Sequence, residues 1–431
     1  MSSAAAPVIG LDFGTTNSVI AVVQPDGRVT STRFAVGDEA LDVFRSVLCF
    51  WTEEGRGRQL LHHRAGPAAI TAYLEDPLDS RLIMSMKSFL AQRSFTETRL
   101  FGRPYTLEQL IGIFLRAFFA AAGLRPGATQ RIRVVAGRPV RFAGEFTDDA
   151  FGEERLRAAC AEAGVETVDV ALEPEGAGYR FVRDLTVPTT VLIGDFGGGT
   201  SDFSVLRFTP DEGPGVVSLG HAGLGIAGDV FDYRIIDAVI APLLGKGDTY
   251  RVMGSTDLPV PPEFFSSFAR WHLLSLMRNP RTMRDISEVA ARARHPERLE
   301  RLLALIKDEC GYALYQTVSG VKAALSHADW ARLRFQHAGF SVDREISRAE
   351  FEQWIANDLS RMAGAIEEVL RDAGVSADEV DRVFLTGGTS FVPAVRRLFA
   401  ERFGPEKLAA GGEFVSVAEG LALIGRDRNG G

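Results

Sequence analysis

Two short stretches of this 431-residue chain share one order of residue types. IGLDFGTTNSVIAVV spans 9–23 and LIGDFGGGTSDFSVL spans 192–206. In each, an apolar strand leads through an aspartate and a phenylalanine into small residues, and a second apolar strand follows. Consecutive small residues between two strands can aim several backbone N–H groups at one point, and such a concavity binds anions, most often phosphate. The pattern therefore predicts two phosphate-binding turns.

A carboxylate stands just before each turn, Asp12 in the first and Asp195 in the second. A carboxylate beside a bound phosphate is repulsive unless a cation separates them, so Mg²⁺ held partly through water by Asp12 and Asp195 is the natural inference. Hydroxyl groups of Thr15, Thr16 and Thr200 can add hydrogen-bond donors. Two such turns facing each other would grip a polyphosphate from both sides. The alternative for each stretch is a plain β-hairpin that uses glycine for its turn.

A third glycine element, LTGGTSFVP at 385–393, lies between a predicted strand and a predicted helix. Gly387 and Gly388 can let a nucleotide approach the backbone, and the helix N-terminus adds positive potential. Alone, the pattern is equally typical of a glycine turn that begins a helix. The chain has no Gly-x4-Gly-Lys-Ser/Thr loop, and the first two turns lead to strands rather than helices, which disfavours a dinucleotide-binding fold.

The elements that must position these turns follow from periodicity and from glycine and proline stops. A further strand is expected after the turn Pro25–Gly27, and the apolar stretch 110–124 is expected to be a buried helix. Ser376 and Glu379 have the spacing of a capping box. The remaining predictions are helices at 66–74, 106–123, 155–165 and 417–425, a strand at 131–140, a strand, a loop and a helix in succession over 165–181, and an interrupted helical stretch at 226–330.

Composition excludes several classes of protein. Hydrophobic residues make up 46% and charged residues 24%, which is ordinary for a globular chain. The net charge of −8 gives no basic footprint for nucleic acid. Three isolated cysteines predict no disulfide framework and favour the reducing cytoplasm. The N-terminus lacks the basic region of a signal peptide, and 110–124 is too short to span a bilayer, so we expect no membrane partner.

Together these motifs resemble those of the actin-like ATPase superfamily, and within it the DnaK-type heat-shock chaperone family. IGLDFGTTNSVIAVV is similar to the family's first phosphate motif, GDFGGGTSDFSVL to its second, and VFLTGGTSFVPAVRRLF to its adenosine motif. Weaker matches lie between them in the right order: ALEPEGAGY, AGDVFDYRI and VKAALS. The match covers nearly the whole chain. It looks like the nucleotide-binding half alone, as in the YegD-like branch, because no linker or β-rich peptide-binding domain follows VAEGLALIG.

The resemblance implies an α/β, actin-like (ribonuclease H-like) fold with duplicated five-stranded sheets, flanking helices and a cleft for Mg-ATP or Mg-ADP. The lobes would be 1–188, closed by a C-terminal helix at 412–431, and 189–411, with a helical subdomain at about 229–376. Asp12, Asp195 and Glu173 would organise the metal's water shell, with Thr200 among the catalytic residues. The nucleotide would be held by Gly14, Thr15, Thr16, Asn17, Gly197, Gly198, Gly199, Gly228, Lys322, Ser326, Gly387, Gly388 and Phe391.

The chain also departs from the family pattern. Alignment by motif order sets Ile70 where the family has its catalytic lysine, with Arg64 and Arg81 as substitutes to consider. Gly137 takes the place of the family's switch proline, and Glu175 that of a threonine. On the adenine side, Ala323 and Phe391 replace two arginines and Ser319 a glutamate.

Three functions remain open on the sequence. The first is a cytoplasmic, chaperone-related ATP-binding protein with slow or vestigial Mg-dependent hydrolysis. The second is a non-catalytic, nucleotide-gated interaction module, which Ile70 favours. Its partner surface would be a segment at about 245–300 with Phe264, Phe265, Trp271 and Met277 exposed; the alternative is that these side chains form the core of the small lobe. The third is an actin-like filament protein or a small-molecule kinase. The partners expected are a nucleotide and a protein client.

Overall fold

A computed structural model describes the chain in thirteen stretches. They are 6–36, 39–55, 58–76, 79–127, 130–142, 147–182, 186–209, 216–252, 257–268, 277–308, 310–337, 339–409 and 416–428. Contacts divide the chain into two compact units, Met1–Ala227 with Ser360–Gly431, and Gly228–Leu359. We refer to them as the large unit and the small unit.

Strands and helices alternate along the chain. The strands are β1 Val8–Phe13, β2 Asn17–Val23, β3 Val29–Ser31, β4 Phe34–Val36, β5 Glu39–Leu41, β6 Phe44–Arg45, β7 Val47–Gly55, β8 Arg58–Ala65, β9 Ser80–Met84, β10 Thr98–Leu100, β11 Arg103–Tyr105, β12 Arg133–Arg138, β13 Thr167–Leu172, β14 Thr189–Phe196, β15 Ser201–Phe208, β16 Val216–Leu224, β17 Thr249–Tyr250, β18 Leu258–Pro259, β19 Trp330–His337, β20 Phe340–Ser347, β21 Arg382–Thr386 and β22 Leu408–Ala409.

The α-helices are α1 Pro67–Glu75, α2 Leu107–Ala121, α3 Asp149–Glu162, α4 Glu173–Val182, α5 Gly228–Ile235, α6 Glu263–Ser266, α7 Pro280–Ala290, α8 Pro296–Lys307, α9 Gly311–Leu325, α10 Arg348–Trp354, α11 Ala356–Ala373, α12 Pro393–Phe403 and α13 Ser416–Asp427. Single 3-10 turns lie at Met86–Phe89 and Gly388–Phe391. Most of the sequence expectations are met: α1, α2, α12 and α13 lie where periodicity put them.

Two sheets of the large unit have the same topology, which confirms the predicted duplication and the α/β fold class. One runs β13-β12-β1-β2-β3 and the other β22-β21-β14-β15-β16. In each, the central strand forms an antiparallel hairpin with the next strand and pairs in parallel with a strand from later in the chain. The parallel side continues with one further parallel strand. The two glycine turns therefore occupy equivalent positions, at the ends of the two central hairpins.

The two sheets share an apolar core through α4 and α13. Val135 of β12, Ile193 of β14 and Leu421 of α13 belong to one buried cluster. The two helices approach closely at Gly176 and Gly420, where a side chain on Gly420 would overlap the Gly176 carbonyl. On the other face of the first sheet, α2 buries Phe114, Phe118 and their neighbours, as its apolar sequence predicts. A capping box of Thr106 and Gln109 begins that helix.

Three expectations differ from the structure. The backbone N–H and the hydroxyl of Ser376 both donate to the Glu379 carboxylate at 2.8 Å, but this pair closes a turn before β21 and no helix follows. β13 passes directly into α4 without the loop expected between them. Phe264, Phe265 and Met277 are buried, which contradicts the exposed surface of the second hypothesis and agrees with the alternative that these side chains form a core. Trp271 lies outside the described residues.

Candidate functional site

The first glycine turn, residues 14–16, is fixed by its two strands. Asp12 pairs with Val19 and Phe13 with Ser18 across the β1–β2 hairpin. Buried Ser18 shares a 2.8 Å hydrogen bond with Ser46, which links β2 to the segment between β6 and β7. Asn17 Oδ1, at the end of the turn, is buried with no hydrogen-bond partner. A buried acceptor of this kind is costly unless something donates to it.

The second turn, residues 197–200, closes in the same way. The N–H of Gly197 donates to the Thr200 carbonyl at 2.9 Å, and Asp195 lies directly opposite Asp202 on the paired strand. Asp202 is fully buried, and it accepts from the backbone N–H of Val140 at 3.0 Å and from the side chain of Thr200. Thr200 thus has a structural partner within the site.

The two turns lie next to each other. A Cβ built on Gly199 would lie 3.8 Å from Thr15 Oγ1 and 3.9 Å from Ser88 Oγ. The second turn therefore approaches the first within one layer of atoms, with Ser88 beside them. This is the arrangement that the paired motifs predict, with backbone and hydroxyl donors brought to one place.

A lysine lies at the centre of the site, and the sequence analysis missed it. The ammonium of Lys87 is buried and donates to the carboxylate of Glu173, the first residue of α4. Lys87 is presented by the 3-10 turn Met86–Phe89. Ser85, just before that turn, has φ 53°, a left-handed conformation that is uncommon for a non-glycine residue and is often found at functional sites.

The charges of this cluster do not balance. Asp12, Glu173, Asp195 and Asp202 surround the single ammonium of Lys87. Glu173, Asp202 and Lys87 are buried, whereas Asp12 and Asp195, each just before its glycine turn, are only half-buried. We name these five side chains the acid–lysine cluster.

The excess of carboxylates changes their proton affinities. Burial, reinforced by the charge of Glu173, raises the pKa of Asp12 to about 7. The same two causes raise the pKa of Asp202 to about 7, and they hold that of Asp195 well above its ordinary value. Burial alone would lower the pKa of Lys87, but the surrounding carboxylates outweigh it and the pKa is raised. Lys87 is therefore charged, whereas Asp12 and Asp202 titrate near neutral pH.

The donor set suits a hard cation reached through water. Carboxylate and hydroxyl oxygens are the ligands that Mg²⁺ prefers, and a divalent charge would offset the repulsion among the carboxylates. Within the described ranges, no three His, Cys, Asp or Glu side chains lie close enough to hold a metal directly. Asp12 and Asp195 can thus serve a bound Mg²⁺ through its water shell, with other ligands coming from phosphate.

The third glycine element adjoins the second turn. Thr386 of β21 pairs with Asp195, so Gly387 follows at the same edge of the sheet. Gly387 has φ +85°, and a side chain there would overlap the Phe196 carbonyl, so only glycine fits. Gly388 begins the 3-10 turn that ends at half-buried Phe391. The structure therefore brings this element together with the phosphate turns.

The other predicted nucleotide contacts lie in the small unit. Lys322 of α9 pairs with buried Asp232 at 2.9 Å and donates to the carbonyl of Gly228 at 3.0 Å. The hydroxyl of Ser326 donates to the Lys322 carbonyl at 3.3 Å. Gly228, Lys322 and Ser326, which the motifs AGDVFDYRI and VKAALS predicted as nucleotide contacts, are therefore neighbours.

The prediction that Ile70 replaces the family lysine is wrong. Ile70 lies within α1, whereas Lys87 sits among the carboxylates. Arg64, one of the substitutes considered, is exposed and lies over the ring of Trp51 at 5.8 Å. The sequence did hold a signal: Lys87 is the only lysine among the first 245 residues, which otherwise use arginine, and it lies in an apolar stretch.

Duplicated sheets that end in paired glycine turns over a carboxylate cluster are the arrangement expected of the actin-like α/β fold. A family model described as Hsp70 protein matches residues 306–428. The chain is 26% identical over 428 residues to the chaperone protein DnaK of Thermus thermophilus, covering 97% of this chain and 60% of that protein. It is 27% identical over 432 residues to the chaperone protein HscA homolog of Bordetella petrii, covering 96% and 57%.

A third relative, the chaperone protein DnaK of Deinococcus proteolyticus, is 26% identical over 442 residues, covering 97% of this chain and 58% of that protein. The chain thus spans between 57% and 60% of the length of these relatives. The resemblance to the DnaK-type chaperone family, stated above from the motifs, is confirmed along nearly the whole chain. None of the helices in the described stretches is long and apolar enough to cross a membrane.

Proposed function

We propose that this protein binds Mg-ATP between its paired glycine turns and hydrolyses it slowly. The observation that carries the proposal is Lys87, buried against Glu173 and electrostatically coupled to Asp12 and Asp195. A buried ammonium beside phosphate turns can stabilise the charge that develops during phosphoryl transfer. The similarity to DnaK and HscA chaperones supports the same assignment.

The residues take distinct roles in this proposal. Backbone N–H groups of the two turns, with the hydroxyls of Thr15 and Thr16, hold the phosphates. Mg²⁺, held through water by Asp12 and Asp195, supplies charge neutralisation to the phosphates. Lys87 stabilises the γ-phosphoryl oxygens, and Glu173 fixes its position.

A half-buried carboxylate accepts the proton of the attacking water. We assign this role to Asp195, because it is half-buried just before the second turn and because burial and neighbouring carboxylates hold its pKa well above the usual range. A general base works best with a pKa near the operating pH. Asp202, opposite Asp195, is held by Thr200 and the Val140 N–H, and it keeps the second turn in place.

Two observations count against the non-catalytic module: the site contains a lysine, and Phe264 and Phe265 are buried. The ATPase is therefore the function that the geometry supports best. The relatives' names make a protein client the partner to look for. The cysteines Cys49, Cys160 and Cys310 are unpaired, which supports the cytoplasm as the location.

A single-turnover assay tests the proposal. Purified protein is mixed with Mg²⁺ and limiting labelled ATP, and bound nucleotide is identified over hours. We expect conversion to ADP by the wild type and a large slowing by Asp195→Asn. Asp26→Asn, which alters an exposed carboxylate on the β2–β3 turn, is the matched control and should turn over normally. ATP bound but left intact would refute hydrolysis, and no binding at all would refute the site.

A further inference from the structure

Three side chains with complementary chemistry meet in the small unit, apart from the proposed ATP site. The sulfur of Cys310 lies 3.1 Å from Nδ1 of His337, and Nε2 of His337 lies 2.8 Å from Oδ2 of Asp308. Cys310 is the N-cap of α9, Asp308 directly follows α8, and His337 is the last residue of β19. Three separate elements thus bring a thiol, an imidazole and a carboxylate into line.

The order of these groups is that of a nucleophile, its base and the group that orients the base. Because the Asp308 carboxylate can only accept, it selects the histidine tautomer with the proton on Nε2. Nδ1 is then an acceptor aimed at the thiol. The thiol can also donate to the Asp308 carbonyl at 3.4 Å, a longer contact than the one to His337.

The environment of Cys310 differs from that of the other two cysteines. Cys49 and Cys160 are fully buried, while Cys310 is half-buried and reachable from solvent. Burial and the negative charge of Asp308 raise the pKa of the Cys310 thiol to about 11. Without help, roughly one thiol in ten thousand would be ionised at pH 7. A proton acceptor at 3.1 Å therefore decides whether this sulfur reacts.

We propose that Cys310 is a site of reversible thiol–disulfide exchange with a small-molecule disulfide such as glutathione disulfide, with His337 as proton acceptor and Asp308 as positioning residue. The thiol gives its proton to Nδ1 of His337, and the thiolate attacks one sulfur of the disulfide. A Cys310–S–S–R bond forms as the R–S–S–R bond breaks. The departing thiolate leaves with the electron pair and takes the proton from His337, so Cys310 is oxidised and one RSH is released.

Exchange needs only what this site provides, a line of approach to one sulfur and a proton acceptor. Acyl transfer would need further N–H donors arranged for an oxyanion. The N-terminus of the 15-residue helix α9 adds partial positive potential that stabilises the thiolate. In a reducing compartment such an adduct is transient, which suits a site that responds to the thiol–disulfide balance.

The test measures exchange on the intact chain. Wild type, Cys310→Ser, His337→Gln and Asp308→Asn are mixed with 5,5′-dithiobis(2-nitrobenzoate) and, separately, with glutathione disulfide. Released thiol is followed by absorbance and adducts by intact and peptide mass spectrometry. We expect one adduct per native chain, on Cys310 and absent from Cys310→Ser. His337→Gln should react at least about tenfold more slowly at pH 7.

The pH profile separates proton transfer from a structural effect. Among the described residues, the titratable groups set against the thiol are His337 on β19 and Asp308, which directly follows α8. In His337→Gln the rate should climb about tenfold per pH unit from 7 to 9, following the thiolate alone; the wild type should climb less steeply. Equal rates and slopes in the two proteins, or adducts that persist in Cys310→Ser, would overturn the proposal. Asp308→Asn keeps the side-chain shape but removes the negative charge that raises the thiol pKa. A rate that falls in spite of this supports the positioning role of Asp308, and a rate that rises contradicts it.

Discussion

Replacing Lys87 with alanine is the sharpest test of the proposed ATP site. The substitution removes the only positive group that the structure places among Asp12, Glu173, Asp195 and Asp202 within the described residues. The ammonium lowers the pKa of Asp12, Asp195 and Asp202 in the wild type. Without it, the pKa of Asp12 moves further above 7, and Glu173 loses its buried hydrogen-bond donor.

The expected loss of rate follows from the role of the group. Removing one preorganised electrostatic group from a site of this kind costs about 10²–10³ in rate, or about 3–4 kcal/mol of transition-state stabilisation. Mg²⁺-dependent affinity should weaken less, since the turns still hold the phosphates by their backbone N–H groups. Lys87→Arg keeps the charge but not the compact ammonium, so we expect only part of the rate to return.

The assay is single-turnover hydrolysis of limiting ATP, with binding measured separately by calorimetry. Arg64→Ala is the control, because Arg64 is an exposed cation of the same unit that contacts Trp51. It should leave both quantities unchanged. Circular dichroism and thermal unfolding establish that each variant is folded.

Hydrolysis by Lys87→Ala within about threefold of the wild-type rate would refute the role given to this residue. So would a loss confined to affinity with no change in the single-turnover rate, since that would make Lys87 a ground-state contact. A matching loss in Arg64→Ala would show that general positive potential, rather than the buried ammonium, supports turnover.

Two further predictions use other residues of the same unit. Burial raises the pKa of Asp202 from 3.8 to about 7. Between pH 3.8 and about 7 the folded chain therefore keeps a proton that the unfolded chain has released. As the pH rises through this range, the free energy of unfolding of the nucleotide-free protein should fall by a few kcal/mol. Urea titrations from pH 5 to 8 should show a shallower fall in Asp202→Asn, and an unchanged slope would contradict the assignment. Gly137→Ala sets a Cβ 2.9 Å from Glu173 Cγ, so it should cost about 1–3 kcal/mol of stability and slow turnover. Gly364→Ala meets open space in α11 and should be neutral or stabilise by up to about 1 kcal/mol, and equal behaviour of the two glycine variants would count against the crowding at 137.

The hairpins that carry the site could be predicted because their signals are local. β1–β2 and β14–β15 each combine two apolar runs, an aspartate and small residues within about fifteen positions, and the structure forms both. The third glycine element and the helix after it also depend on adjacent residues. Asp195 and Asp202 lie opposite each other as a direct result of the hairpin register.

The position of the lysine could not be predicted in the same way. Lys87 follows a hairpin, a helix and a further strand, β7 to β9, and motif order alone does not fix the lengths of such elements. Its local frame is a four-residue 3-10 turn entered through Ser85 at φ 53°, a conformation with no sequence signature. Its partner Glu173 is 86 residues away, so only the packed sheets bring the pair together.

The buried state of Phe264 and Phe265 shows a second limit. Their surroundings are set by residues distant in sequence. In an irregular segment, the local sequence does not distinguish large apolar side chains that face solvent from those that face a core. The cysteine–histidine–aspartate group escaped notice for a similar reason. Cys310 and His337 are 27 residues apart and meet only because β19 runs back to the start of α9.

Helix α13 constrains the order in which the elements of this protein can fold during synthesis. It fills the space beside β1 and β2, where Ala418 and Ala422 join Val19 and Ala21 in one cluster. Glu419 also accepts from Ser31 at 2.9 Å, across 388 residues of chain. On a ribosome the first strands emerge long before the helix that covers them, so their apolar face stays exposed until that helix has been synthesised. The first sheet must therefore wait, open or shielded by a chaperone, for residues 416–427.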